Sequence, residues 1–377
     1  MKNPLPEQVY SARVIPREAD IRGDYFRDQT AIIHSTAFRR LKSKTQVFYA
    51  PDNDHICTRI EHVLHVATIS AAICKGLNMH GWELNSEMAY AIGLGHDLGH
   101  TPFGHAGEKA INTYLGGGTS FAHEINSYRI VAHTANHGNG LNLTFGVRDG
   151  IICHNGERDE QHISPDPSIK DLDLIKDRNV LPSSYEGCIV RLADKIAYLG
   201  RDLEDAVLAG IISEKIIPEK IKSQLGTRNG KIINDLVIDL IEASKNSDTI
   251  GFSDEKYDLM QSLKEFNYKA IYFHSSLQAY EKFCDKVIRQ LYEHFEELFD
   301  KLQVNYSDYQ NQVCNIDRQF GEYLQGMEVF YNNGENSGKQ RITDFISGMT
   351  DTYCIDAARQ INIPEPIVFL KKPKCNY

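Results

Sequence analysis

The sequence predicts an all-α protein. Helical periodicity dominates its 377 residues, whereas the alternation of apolar and polar residues that marks β-strands is scarce. Apolar residues make up 41% of the chain and the mean hydropathy is -0.40, which indicates a globular protein and excludes a disordered or fibrous one. We therefore expect one all-α domain over residues 1–377, with a helical core followed by a C-terminal helical extension.

Three helices are expected in the first third of the chain. Residues 59–77 place apolar side chains along one broad stripe, which predicts a helix with one buried face. Residues 84–98 are typical of a buried helix that starts at the N-cap Asn85 and whose glycines permit close packing. A third helix should run from His105 to the glycines at 116–118, which end it.

The later elements are also helical. Residues 138–183 are polar and contain three prolines, so we interpret them as an ordered or partly mobile connecting loop. Residues 185–210 predict a strong helix, and residues 255–304 predict two amphipathic helices. The Tyr and Phe residues at 266–299 are expected in the core and in a subunit interface rather than in a ligand platform. The polar stretch 332–340 should precede a last pair of helices.

Charge and cysteine usage narrow the class of protein. The chain has 41 basic and 51 acidic residues, a net charge of -10, which disfavours non-specific binding to DNA or to an anionic membrane. No apolar run is long enough to suggest a membrane span, and the N-terminal stretch does not resemble a signal peptide. The eight cysteines are scattered without a C-x-x-C pair, so we expect buried apolar residues in a cytoplasmic protein.

Histidines concentrate in one part of the chain. Ten of the fifteen lie between positions 55 and 137, where an even spread would place only about three, so the chemistry is expected in this region. We accordingly expect residues 55–210 to form the core that carries the functional site and residues 211–377 to form the extension.

The strongest local signal is the segment GHDLGHTPFGHAGE at 95–108. His96 and Asp97 follow each other at the end of a buried helix, where both could point at one ion. The alternative is a helix C-terminus with its charges in solvent. His62 on the preceding helix and Asp194 in an otherwise apolar segment complete the order H, HD, D. Two imidazoles and two carboxylates would form a mixed nitrogen and oxygen site with positions open for water or substrate.

With these residues the sequence resembles the HD-domain phosphohydrolases and, within them, the deoxyguanosine triphosphate triphosphohydrolase family of deoxynucleotide triphosphohydrolases. HDLGHTPFGHAGE and KTQVF are more specific to this family than the general H, HD, D order. The resemblance covers roughly residues 20–352 and rests, in order, on FRRLKSKTQVF at 38–48, TRIEH at 58–62, the segment at 95–108, FAHEINSYRIV at 121–131, GLNLT at 140–144, RLADKIAYLGRDLEDA at 191–206 and ISGMTD at 346–351.

The resemblance implies a metal site and a catalytic pair. Its metal ligands fall on His62, His96, Asp97 and Asp194. Its catalytic histidine and glutamate fall on His105 and Glu108, three residues apart on one helical face, where the carboxylate can orient the imidazole and raise its basicity. The alternative for this pair is an ordinary His–Glu contact on the surface.

Further positions would handle the phosphates. His123 matches an active-site histidine that could donate a proton to the leaving oxygen, and His100 matches a position that faces the phosphates. Arg59 and Lys195 match phosphate-binding positions, although either could equally form a structural ion pair beside the acidic ligands. The positive charge of these two residues would offset the negative charge of the triphosphate.

The sugar and base would be held from two other segments. Tyr198 and Asp202 follow Asp194 by four and eight residues and resemble a pair that excludes a 2′ hydroxyl and accepts from the 3′ hydroxyl. Gln46 matches a position near the nucleoside. Two late positions resemble residues that could reach the triphosphate or the sugar; they are Arg341 and Asp344.

The activity implied is hydrolysis of a 2′-deoxynucleoside 5′-triphosphate, dGTP among them, to deoxynucleoside and inorganic triphosphate. One divalent ion per subunit is implied, and the ligand types leave Mn²⁺, Mg²⁺, Fe²⁺, Ni²⁺ and Zn²⁺ open, with Mn²⁺ or Mg²⁺ favoured for activity. A homo-oligomer, a tetramer or a hexamer, and a nucleotide effector at a second site are also compatible with the resemblance.

Two other classes of function stay open at this point. An HD-domain phosphodiesterase or nucleotidase would not release free triphosphate. A non-catalytic nucleotide sensor or a module that binds single-stranded nucleic acid would not turn over. The retained ligands and catalytic pair argue against a silent protein, and the acidic net charge of -10 argues against a primary nucleic-acid role.

Overall fold

A computed structural model of the chain describes residues 1–48, 55–116, 120–155, 158–332 and 337–363. These residues are overwhelmingly helical, and the two strands among them, His162–Ile163 and Ile250–Gly251, are short and pair antiparallel. The predicted all-α fold is confirmed. In chain order the α-helices α1 to α19 are Glu7–Tyr10, Asp24–Ile33, Thr36–Arg40, Arg59–Asn78, Ser86–Gly95, Gly104–Leu115, His123–Arg129, Ala135–Gly138, Phe145–Ile152, Tyr185–Leu208, Glu219–Gln224, Asn229–Ser244, Asp254–Asn267, Ser275–Leu302, Tyr306–Gln310, Asn315–Gly326, Glu328–Asn332, Gly338–Ser347 and Asp351–Asn362.

The helices that position the site begin at residues suited to capping. Thr58 precedes α4 and forms a reciprocal capping box with Glu61. The Asn85 side chain accepts from two backbone amides at the start of α5, as predicted. Ser184 caps α10 in the same way by accepting from the Gly187 amide. Four orphan amides open every helix, so these side chains fix where each element starts.

Glycines allow the central helices to approach one another closely. A Cβ atom on Gly93 of α5 would lie 2.6 Å from Cα of Ala67 on α4. A Cβ on Gly99, just after α5, would lie 2.1 Å from the Ser127 backbone nitrogen. Both positions therefore require glycine, which places the segment after α5 directly against α7.

Two hydrophobic clusters hold the helices together. The first is built around α4, α5 and α10, and the segment 212–271 also packs into it. The second surrounds α14, α16, α18 and α19 and includes Phe103 and two residues of α6. Helix α6 therefore belongs to the second cluster. The division predicted between residues 210 and 211 stays a prediction. Residues on both sides of that position pack into the first cluster.

The prediction of a loop over residues 138–183 is wrong in part. Helix α9, Phe145–Ile152, lies within this range and is almost wholly buried. It spans only eight residues and contains two glycines, so its own helical propensity is weak and its periodicity is too short to read. Packing stabilises it instead: a Cβ on Gly150 would lie 2.5 Å from the Ile92 side chain of α5.

The cysteines behave as predicted where they are described. Six are buried and Cys314 is half-buried, and the structure describes them as free thiols. Cys375 and the glycines at 117–118 lie outside the described residues. By length and hydropathy, the 20 residues of α4 are enough to cross a membrane, but half of the qualifying stretch is buried inside the protein, as in an ordinary core helix.

Candidate active site

A cavity of about 410 Å³ opens where α4, α6 and α10 meet the segment that follows α13. One side of it, which we call the floor, consists of Arg59, His62, Asp97, His100, His105, His123 and Asp194. The opposite side, which we call the aromatic wall, consists of Tyr268, Tyr272, Phe273, Leu277 and Tyr280. Gln46, Tyr198 and Asp202 line the cavity between them.

The four predicted metal ligands converge at the floor, which three of them line, while His96 is fully buried next to them. His62 Nε2 lies 2.9 Å from Asp194 Oδ1. His96 Nε2 lies 3.7 Å from the same oxygen and 3.6 Å from Asp97 Oδ1. Three helix ends or faces contribute: α4 supplies the first histidine, the end of α5 supplies His96 and Asp97, and α10 supplies Asp194.

The chemistry of this donor set fits a divalent cation. His96 Nδ1 lies 2.7 Å from the Gly93 carbonyl, which can only accept, so this nitrogen carries the proton. Nε2 of His96 therefore presents a lone pair, and among the described residues it has no hydrogen-bond partner although it is buried. Metal-bound histidines commonly have their second nitrogen fixed in this way. Two histidines and two carboxylates can hold an ion here.

Asp97 is held in its ionised form. Burial alone would raise the pKa of this carboxyl, but electrostatic interactions with His100 and with the Arg59 guanidinium outweigh burial and hold the pKa well below its usual range. The Arg59 guanidinium is itself buried and donates a hydrogen bond to Asp97 Oδ2. An ionised carboxylate is the form that binds a metal.

The predicted catalytic pair is present and has a third member. Glu108 Oε2 lies 3.5 Å from His105 Nδ1 and 3.1 Å from His123 Nδ1. Burial would raise the pKa of Glu108, but the two imidazoles outweigh it and lower the pKa. Burial would lower the pKa of His123, but Glu124 and Glu108 raise it to about 10. His100 stacks on His123 with ring centroids 3.9 Å apart.

The predicted sugar contacts share one face of α10. Asp194, Tyr198 and Asp202 all line the cavity, as their spacing indicates. The Tyr272 hydroxyl of the aromatic wall donates to Asp202 Oδ2 at 2.5 Å. Burial raises the pKa of Asp202 to about 7, although this hydrogen bond opposes the rise. Asp202 can therefore change its charge near neutral pH.

The aromatic wall corrects one expectation about residues 266–299. Tyr292, Phe295 and Phe299 are buried in the second hydrophobic cluster as expected, but the residues of the wall, from 268 to 280, face the cavity. The chain forms a π-helical segment at Tyr268–Tyr272 and starts α14 at Ser275. This irregular segment turns aromatic side chains away from the core, so the helical period of the sequence does not reveal their direction.

Five predicted residues are not part of the cavity lining: His96 and Glu108, described above, and Lys195, Arg341 and Asp344. Lys195 Nζ donates to the Arg158 carbonyl, and burial lowers its pKa to about 8. The Arg341 guanidinium packs 4.9 Å from the ring centre of Tyr331. Asp344 accepts from Arg129 at 2.7 Å. A phosphate-binding role for Lys195 stays a prediction.

Two groups at the site were not predicted. The sequence predicts Tyr272 as a core residue. His154 is missed because it lies within residues 138–183, which the sequence predicts as a connecting loop. His154 follows α9, is 1% exposed, and packs edge-on against His96 with ring centroids 4.9 Å apart. The signal for His154 in the sequence is its position after a short apolar run and directly before an asparagine and a glycine.

Comparisons with known proteins show what this chain is similar to. The HD domain family matches residues 59–199, and the phosphohydrolase-associated domain family matches residues 250–331. Proteins named deoxyguanosinetriphosphate triphosphohydrolase-like protein match most of the chain. One from Caldanaerobacter subterraneus subsp. tengcongensis is 35% identical over 93% of this chain and 88% of its own length. Those from Desulfatibacillum aliphaticivorans and Clostridium perfringens are each 33% identical, over 92% and 93% of this chain and 90% of their own lengths.

Proposed function

The chain belongs to the HD-domain family of deoxyguanosinetriphosphate triphosphohydrolase-like proteins, and from this membership we propose that it hydrolyses 2′-deoxynucleoside 5′-triphosphates. The products are the deoxynucleoside and inorganic triphosphate, and dGTP is among the substrates. One observation carries the proposal: a single cavity of about 410 Å³ is lined by three of the four metal ligands, by His105 of the His–Glu pair and by a face suited to a deoxyribose.

The metal-ligand set defines where the phosphates react. His62, His96, Asp97 and Asp194 would hold the divalent ion. When bound, such an ion neutralises charge on a phosphoryl oxygen and activates a water. Arg59 lies beside Asp97 at the floor, so its guanidinium can contact the polyphosphate while it keeps the carboxylate ionised. His100 and His123 line the same floor and would face the phosphates.

Glu108 organises proton transfer at the floor. Its Oε2 lies within 3.5 Å of Nδ1 on both His105 and His123, so it fixes the orientation of both rings. His105 is the more exposed ring and can accept a proton at the open side of the cavity. His123 is protonated near neutral pH, because its pKa is about 10, and can donate to the leaving 5′ oxygen.

The residues of α10 select a deoxyribose. Tyr198 would occupy the space beside the 2′ carbon, so a ribonucleotide hydroxyl would meet an aromatic ring. Asp202 would accept a hydrogen bond from the 3′ hydroxyl, and Tyr272 orients its carboxylate. Gln46 and the aromatic wall line the same cavity and would surround the base, which every deoxynucleotide can offer as a flat stacking surface.

The setting of the reaction is part of the same proposal. Mn²⁺ or Mg²⁺ is the working ion, since two of the four ligands are carboxylates. The protein acts as a cytoplasmic homo-oligomer, a tetramer or a hexamer, and a nucleotide effector could bind outside the cavity. The acidic net charge of -10 opposes a primary role in nucleic-acid binding.

Product analysis tests this function directly. The protein is incubated with Mn²⁺ and each of the four dNTPs, and products are resolved by anion exchange and ³¹P NMR. We expect deoxynucleoside and inorganic triphosphate in equal amounts. Release of pyrophosphate, orthophosphate or a deoxynucleoside monophosphate would instead support a nucleotidase, and cleavage of a cyclic or linear diester would support a phosphodiesterase. Binding without turnover would support a sensor.

A further inference from the structure

The carboxylate of Asp351 connects two segments that lie far from it in the sequence. Asp351 is the first residue of α19 and is 2% exposed. Its Oδ1 accepts a hydrogen bond from the Phe103 backbone amide at 2.8 Å. Its Oδ2 accepts from the Thr45 backbone amide, also at 2.8 Å, and from the Thr45 hydroxyl. Because each oxygen serves a different segment, one carboxylate fixes both segments relative to α19.

Both segments lead directly into the cavity. Phe103 lines the cavity and comes just before α6, whose second residue is His105. Thr45 comes just before Gln46, which also lines the cavity. Phe103 has a φ of 65°, in the left-handed region that is unfavourable for a residue with a Cβ atom, so its surroundings must hold this turn. The hydrogen bond from Phe103 to Asp351 supplies part of that restraint.

Lys44 connects the floor to α18 in a similar way. It is 3% exposed, and its ammonium donates to the His100 carbonyl and, at 2.9 Å, to the Ser347 carbonyl. Ser347 is the last residue of α18. The backbone carbonyl of Lys44 accepts from the Arg59 amide at 3.2 Å, at the start of α4. Lys44 therefore joins a C-terminal helix to two residues of the floor.

The cost of burying these two groups indicates that they do more than fill space. Removing a carboxylate and an ammonium from water is unfavourable, and apolar residues could fill the same volume. Regular helices are fixed by their own backbone hydrogen bonds, whereas residues 44–46 and 99–103 lie between helices. The two buried groups thus restrain the parts of the cavity that helical geometry leaves free.

We propose that Asp351 and Lys44 are positioning residues for the hydrolysis proposed above, on which this role rests. Asp351 sets the direction of His105 through the turn at Phe103, and Lys44 keeps the floor in place against α18. In the described part of the chain, the cavity lining includes neither Asp351 nor Lys44. Both therefore act through the residues that do line it.

Hydrogen exchange of backbone amides tests the restraint without any substrate. Asp351→Asn keeps the size of the side chain, but an NH₂ group replaces one oxygen, so one of the two segments loses its acceptor. Measured by mass spectrometry, a peptide that contains Thr45 or Phe103 should exchange roughly tenfold faster, the effect of losing a hydrogen bond to a charged group. Peptides within α5 and α10 should be unchanged. Equal exchange of all these peptides in variant and wild type would overturn the role of Asp351.

Turnover measures what the restraint does for the reaction. Asp351→Asn should lower kcat roughly 10²-fold, the effect of displacing a catalytic group by about 1 Å, with Mn²⁺ affinity unchanged. Asp28→Asn is the matched control, because Asp28 is also buried and accepts from the amide and hydroxyl of Thr144, away from the cavity. It should lower the melting temperature and leave kcat as in wild type. An equal fall of kcat in both variants would show a loss of stability alone and overturn the proposal.

A double variant shows whether Asp351 acts through His105. In a His105→Ala background, Asp351→Asn should change kcat little, because the group that it positions is gone. A further loss of about 10²-fold, as in the single variant, would overturn this route.

Lys44→Met tests the second positioning residue. It keeps an unbranched side chain and removes the ammonium, so kcat should fall while Mn²⁺ affinity persists; a wild-type kcat would overturn the role of Lys44. If the wild-type protein released no triphosphate from any dNTP, the proposed hydrolysis would fail. The exchange data would still decide whether Asp351 restrains the two segments, so the two proposals fail separately.

Discussion

The floor and the aromatic wall of the cavity differ in both chemistry and construction. The floor is built from ionisable side chains on regular helices or at their ends, and most of them are buried and paired with one another. The wall is built from aromatic side chains on a π-helical segment and on the first turns of α14, and Phe273 is 63% exposed. The floor is thus fixed by mutual electrostatic contacts, whereas the wall has room to adapt.

This difference separates the roles of the two sides. Groups that must hold charge in a defined geometry lie on the floor, because rigid elements keep donor atoms in place. In the proposed function, the wall is the side that would recognise a flat and variable base, because contact area matters more there than exact direction. We therefore expect substitutions on the floor to abolish metal binding or rate, and substitutions on the wall to change selectivity and KM.

The largest contrast is expected from the metal ligands. His62→Ala and Asp97→Ala should lose the bound metal and fall to background activity, because each removes a ligand and little packing. Tyr268→Ala on the wall should keep its metal and most of its rate. Metal content by mass spectrometry and turnover are measured together, with circular dichroism as the folding control. Wild-type metal content in both floor variants would refute the ligand assignment.

The catalytic pair should show the next largest effect. His105→Ala and Glu108→Ala should lower kcat by a factor of roughly 10² to 10⁴, the usual contribution of general acid–base groups. Binding of Mn²⁺ and of dNTP should persist, since His62, His96, Asp97 and Asp194 are intact. Loss of that ion in His105→Ala would place this histidine in the coordination shell instead.

Sugar selectivity is expected to depend on Tyr198 and Asp202, which line the cavity together with the floor and the wall. If Tyr198 closes the space beside the 2′ carbon, kcat/KM for dGTP should exceed that for GTP by a large factor in wild type. Tyr198→Ala should narrow this gap about tenfold, an energy of about 1.4 kcal/mol, while dGTP turnover declines. Equal rates with GTP and dGTP in wild type would show that the enzyme does not discriminate at the 2′ position.

The smallest effect is expected in the pH profile of kcat/KM. It depends on Asp202, whose carboxylate accepts a hydrogen bond from Tyr272 of the wall. The pKa of Asp202 is raised to about 7, so its carboxylate is ionised above that pH and protonated below it. The charge-assisted bond to the 3′ hydroxyl is therefore gained as pH rises through about 7, and kcat/KM should rise with it. Tyr272→Phe removes a hydrogen bond that lowers this pKa, so the midpoint should move upward.

Two controls isolate this titration from others at the site. Asp202→Asn should lack the rise near pH 7, and a 2′,3′-dideoxynucleotide should lack it with the wild-type protein. A midpoint that stays in place in Asp202→Asn would assign the titration to another group.

The fold and the floor could be predicted from the sequence to a large extent, for a physical reason. Asp194 lies in an apolar helix, where an unpaired carboxylate is costly, so it signals a partner. The spacing of Asp194, Tyr198 and Asp202 then fixes their common face. The wall could not be predicted, because an aromatic residue at helical spacing is equally suited to a core or to a cavity. Tyr272 lies in the π-helical segment and lines the cavity, whereas Tyr292 lies in the regular helix α14 and is buried in the second cluster.

His154 shows a second limit of prediction. Its position depends on α9, a helix of eight residues that is stabilised by contacts with α5 rather than by its own sequence. The contacts between α5 and α9 are tertiary, so a sequence window around residue 154 contains no sign that this histidine reaches the ring of His96.

The central claim is that the floor directs a water to the α-phosphorus of a dNTP. Hydrolysis of dGTP in H₂¹⁸O tests it most directly, with the products examined by mass spectrometry. We expect one ¹⁸O atom in inorganic triphosphate and none in deoxyguanosine, because the bond between the α-phosphorus and the 5′ oxygen breaks. Label in deoxyguanosine, in pyrophosphate or in orthophosphate would place the attack at another atom and contradict the claim.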